Sequence, residues 1–134
     1  MPQPRIVAGL LAINAAANDS LNLASADGLV FSPLRLAAWR HDLTLSLLLF
    51  FDGLTTQPRS FDLTINVSCD GRELRSQSAR VALPSDGSGH HWHHDRVAFQ
   101  VPSSGTYVIA ATVRFDDAAE ALVWSQEVEI TKEE

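Results

Sequence analysis

The chain has 134 residues and a mass of 14.6 kDa, with 46% hydrophobic and 19% charged residues and a mean hydropathy of +0.01. That composition excludes a disordered, low-complexity or collagenous chain, and the length fits one domain, residues 1–134, able to bury roughly two-thirds of its unfolded surface. The net charge of −6 lies wholly in residues 116–134, since the nine Arg before them are balanced by eight Asp and one Glu, and an acidic end disfavours a nucleic-acid partner.

Ile6 to Ala12 is apolar on both faces, which fits a covered strand and also a helix. Leu21-Asn22-Leu23 reads as a short strand between turn signals at Asn18-Asp19 and Asp27-Gly28. Leu34 to Trp39 and Leu43 to Phe51 follow as strands. In the second, Leu43, Leu45, Leu47, Leu49 and Phe51 form a core face, while Thr44 and Ser46 give way to Leu48 and Phe50 on the other. An outer face that turns apolar needs a cover. The N-terminal segment is one candidate, and a partner chain is the other.

Phe61, Leu63, Ile65, Val67 and Cys69 alternate with Asp62, Thr64, Asn66 and Ser68, the pattern of a half-buried strand. Asp70-Gly71 is a two-residue hairpin signal. The return strand, Arg72 to Leu83, has a weak apolar face and suits an edge or a bulge. Pro84 to Asp95 reads as a loop. Val97, Phe99 and Val101 form a short strand stopped by Pro102. Tyr107 to Phe115 and Leu122 to Ile130 complete a final hairpin, with residues 130–134 as an acidic tail. Eight or nine short strands with turn signals predict an antiparallel immunoglobulin-like β-sandwich.

Pro102-Ser103-Ser104-Gly105-Thr106-Tyr107, ahead of alternating apolar residues, resembles the penultimate-strand corner of immunoglobulin-like domains. An apolar first strand, Leu21-Asn22-Leu23, a loop holding Pro33, a long apolar strand and that corner hairpin follow in order. The whole is similar to a bacterial family of small, uncharacterised, single-domain immunoglobulin-like proteins. The resemblance implies the fold and a cytoplasmic location, and no chemistry.

The chemically distinctive segment is Gly89-His90-His91-Trp92-His93-His94-Asp95, which lies outside that resemblance. In an extended chain His91, His93 and Asp95 share one side, a donor set suited to Zn, Ni or Cu. The plain alternative is a solvated polar loop with Trp92 packed on the sandwich end. Trp92 is also the candidate for stacking on a small ligand or glycan. Cys69, the single cysteine, excludes an internal disulfide and reads as a buried thiol. No phosphate loop, nucleophile elbow or His-Glu-x-x-His is present, so no catalytic residue is expected. The longest apolar run, Leu47 to Phe51, is too short to span a membrane, and the N-terminus lacks a signal-peptide pattern. The leading expectation is a cytoplasmic, non-enzymatic protein-interaction module without a cofactor. Its partner is a protein, with a homodimer through Leu48 and Phe50 as one form, and metal binding and glycan binding are the alternatives.

Overall fold

The computed structural model describes residues 4–18, 23–30, 33–38, 40–53, 59–83, 91–116 and 118–133. Nine strands form among them: β1 (Arg5–Asn18), β2 (Leu23–Leu29), β3 (Leu34–Leu36), β4 (Asp42–Asp52), β5 (Arg59–Cys69), β6 (Arg72–Leu83), β7 (His91–Gln100), β8 (Gly105–Phe115) and β9 (Leu122–Lys132). They make two sheets, in the orders β2-β1-β4-β7 and β3-β9-β8-β5-β6. Period-two alternation gives β5 and β8 one apolar face each, and the two sheets bury their apolar residues against each other as a β-sandwich. Leu45, Leu47, Leu49 and Phe51 of β4 meet Phe61, Leu63, Ile65 and Val67 of β5 and the matching row of β8 in one core. Phe51, Phe61 and Phe115 form an aromatic cluster at one end, with Phe61–Phe115 centroids 5.1 Å apart in a tilted arrangement.

The hairpin signals act as expected. Asp70 and Gly71 take φ of 51° and 81°, the left-handed pair that a two-residue turn needs. The weak strand β6 lies at the edge of the five-stranded sheet, and its pairing with β5 is bulged between Val67 and Ser68. The corner also forms. Tyr107 is fully buried and its hydroxyl donates to the Ser103 carbonyl at 2.5 Å. Gln126 interrupts the inward row of β9, and its side-chain amide donates to the Val30 carbonyl at 2.9 Å.

Of the two readings of Ile6 to Ala12 the strand holds: it is part of β1, which hydrogen-bonds alongside β4 within the sheet. Several expectations are corrected. Asp27 and Gly28 continue β2 instead of turning it, with Asp27 opposite Asn14. The strand at Leu34 stops at Leu36 and runs parallel to β9, so the sandwich is not wholly antiparallel. Ile130 to Lys132 belong to β9, and the Glu133 N–H bonds to the Leu36 carbonyl, which removes most of the tail. The loop ends earlier, because His91 to Asp95 are already in β7. Leu21, Asn22, Trp39 and 84–90 lie outside the described residues.

Candidate functional site

The β4–β7 register decides where the distinctive residues point. Phe51 faces His91, Phe50 faces Trp92, Leu49 faces His93, Leu48 faces His94 and Leu47 faces Asp95. Opposed residues in an antiparallel pair share a face. Leu47, Leu49 and Phe51 point into the core, so His91, His93 and Asp95 point between the sheets. The His93 ring stands edge-on to Phe61 at 6.0 Å, which confirms that direction.

His93 Nε2 lies 3.7 Å from Asp95 Oδ2, an ion-pair separation longer than a hydrogen bond. That nitrogen is buried and makes no hydrogen bond among the described residues. The neighbouring imidazole, with the Arg96 N–H bonded to Asp95 Oδ1 at 2.8 Å, holds the Asp95 carboxyl below the usual carboxylate range. Among the described residues no three His, Cys, Asp or Glu side chains converge as a ligand set for a metal ion. His91, His93 and Asp95 stand in a straight row along one strand, where alternate side chains are roughly 6–7 Å apart at the backbone.

The outer face of the same sheet holds Trp92, His94 and Arg96 of β7 beside Phe50, Leu48 and Ser46 of β4. Leu48, for which the N-terminal segment and a partner chain are the two candidate covers, is 2% exposed within the single chain. Leu10 of β1 flanks it on one side and His94 on the other, with Ser46, itself buried, one step along the face. Phe50 and Trp92 are half-buried, so what remains open is a rim and not an apolar patch. Burial, followed by the nearby Arg96 charge, pushes the His94 imidazole below its ordinary pKa.

A different feature emerges at the sheet edges, where β7 and β6 face each other across the open side of the sandwich. The Val101 N–H bonds to the His41 carbonyl, which makes that pair, and every second pair along β4–β7, the hydrogen-bonded type. Trp92, His94, Arg96, Ala98 and Gln100 therefore turn their backbone N–H and C=O groups away from β4, to the free edge. Arg96 is capped there: its N–H goes to Asp95 and its carbonyl accepts from Gln77 of β6 at 3.0 Å. Ala98 and Gln100 carry no such cap among the described residues. They open onto a cleft of about 480 Å³ whose walls are Arg72, Leu74 and Arg75 of β6 and Ala98, Phe99 and Gln100 of β7. Its volume lies in the range of small-ligand sites, and its mouth is lined by an unpaired strand edge. Arg72 and Arg75 sit opposite Cys69 and Val67, whose side chains are buried inward, so both guanidinium side chains point into the gap between the sheets. Sequence reasoning found β6 as an edge but missed this cleft, because the edge position of β7 follows from pairings distant in sequence.

No protein-family model matches the chain, and no curated protein sequence matches it. Solved structures do. The C-terminal domain of wzt is similar over 100% of this chain and 78% of that one, with a TM-score of 0.57 and 10% identity. A putative beta-galactosidase from Bacteroides fragilis is similar over 67% of this chain, with a TM-score of 0.53 and 12% identity. A beta-glucuronidase from glycoside hydrolase family 2 is similar over 68%, with a TM-score of 0.53 and 11% identity. This chain spans 14% and 10% of those two proteins. At these identities the likeness establishes the β-sandwich fold. No helix among the described residues is long and apolar enough to cross a membrane.

Proposed function

We propose that the chain is a non-enzymatic protein-interaction module that captures an extended segment of a partner protein on the free edge of β7. The observation that carries this reading is the pair Ala98 and Gln100, whose backbone groups face an open cleft while Arg96 beside them is capped by the chain's own side chains. Strand addition to such an edge supplies affinity through main-chain hydrogen bonds and selectivity through alternate side chains. Natural sandwiches blunt edges that serve no purpose, and here the blunting stops two residues short of the cleft.

The test is a proline at the edge. Ala98 makes no ladder bond to β4, so Ala98→Pro removes an outward N–H and keeps the sheet. Heptapeptides selected from a random library against the wild-type protein are expected to lose binding to the variant. Selected peptides that bind the variant equally well contradict the reading. A second copy of the chain is the alternative occupant, read by light scattering as a mass above 14.6 kDa that Ala98→Pro returns to the monomer value.

A second reading has its own support. The Trp92 and Phe50 rings on the outer rim, beside His94 and the exposed Arg96, are groups that stack on and hydrogen-bond to sugars. Two of the similar structures are named as a galactosidase and a glucuronidase. Glycan binding predicts a change in Trp92 fluorescence on adding sugars and its loss in Trp92→Ala.

A further inference from the structure

We propose that the segment received at the β7 edge carries carboxylates on alternate residues, on the side that faces β6. This rests on the edge-capture reading above and names the chemistry of its ligand.

A strand laid against Ala98 and Gln100 continues the four-stranded sheet outward by one position, about 4.8 Å beyond β7. Its side chains then alternate between two environments. On the inner side they enter the gap that holds Arg72 and Arg75, with Leu74 and Phe99 as the apolar floor. Both arginines are exposed, and among the described residues no carboxylate lies within ion-pair distance of either guanidinium. On the outer side the added side chains run beside the exposed Arg96, Ala98 and Gln100, with Asp42, the register partner of Gln100, one strand further in. Glu73, the remaining acidic residue of the lining, is paired with Ser68, whose side chain belongs to the outer face of the other sheet. The inner side beside Ala98 and Gln100 therefore offers two cations, Arg72 and Arg75, to an added strand. A guanidinium offers a fork of N–H donors that matches a carboxylate. The pair therefore favours Glu or Asp at every second position of the added strand, on its inner side.

Two blocked heptapeptides test this, one with Glu at positions 2, 4 and 6 and Thr elsewhere, the other with Lys in place of Glu. Binding is followed by the backbone amide resonances of Ala98 and Gln100. The Glu peptide is expected to bind at least about tenfold more tightly at low salt, with the difference shrinking as salt rises. The double variant Arg72→Glu, Arg75→Glu changes exposed side chains only and is expected to reverse the order. Equal affinities for the two peptides, unmoved by the double variant but lost together in Ala98→Pro, overturn the charge rule and leave edge capture standing. Neither peptide shifting Ala98 or Gln100 overturns both.

Discussion

Burial at single positions was partly legible from alternation and partly not. Tyr107 and Cys69 fell where the pattern put them. Tyr107 is sealed with its hydroxyl on the Ser103 carbonyl, so Tyr107→Phe is expected to cost about 1 kcal/mol in urea unfolding. Burial pushes the Cys69 thiol up, which predicts slow alkylation in the native state and fast alkylation in denaturant. For Leu48 the alternation allows two outcomes, cover by the N-terminal segment or an open face for a partner. It is buried, with Leu10 of β1 and His94 of β7 flanking it from the neighbouring strands. Leu48→Ala should therefore act as a core truncation, costing about 2–4 kcal/mol, and should leave the mass in solution unchanged. A mutant that stays as stable as the wild type contradicts the burial.

Among the elements, the β5–β6 hairpin and β8 were readable because their signals are local: an Asp-Gly turn, and a glycine-led corner before alternating residues. β1 and β7 were harder, because what defines them is which strand lies beside them. Tracing back from Val97 in twos gives Asp95, His93 and His91 as the inward row, so the histidine segment carried a strand signal hidden by its polarity. Gly9 shows the same dependence on tertiary partners. A Cβ there would overlap the indole of Trp124, which packs across from β9. Gly9→Ala is expected to cost about 1–3 kcal/mol by forcing that ring out of place, measured by thermal or urea unfolding. At Gly71 the space is open and the cost is conformational: φ of +81° makes Gly71→Ala unfavourable by about 1 kcal/mol without any clash.

For the molecule as a whole, the β-sandwich was legible from strand count and turn spacing, while the parallel β3–β9 pairing and the cleft between β6 and β7 were not, since both come from long-range topology. The half-buried β7 groups also give the fold an acid dependence. The folded-state pKa of His94 lies below its ordinary value of 6.5, so the unfolded chain takes up that proton first as pH falls. Stability from the neutral imidazole is complete above about pH 6.5 and is lost below it. Asp95 is depressed below 3.8, so its contribution persists above that value and disappears as pH falls through its folded-state pKa. Urea midpoints are expected to fall between pH 7 and 5, and His94→Gln should flatten that slope. An unchanged slope in the variant assigns it to other groups.

Edge capture is tested most directly by hydrogen exchange at the amides of Ala98 and Gln100, with and without the alternating Glu heptapeptide. The free protein should exchange both quickly, while Val97 and Phe99, bonded to β4, stay protected. The peptide should slow Ala98 and Gln100 and leave Val97 and Phe99 unchanged. Slow exchange of Ala98 and Gln100 in the free protein, or exchange that the peptide does not alter, contradicts the account.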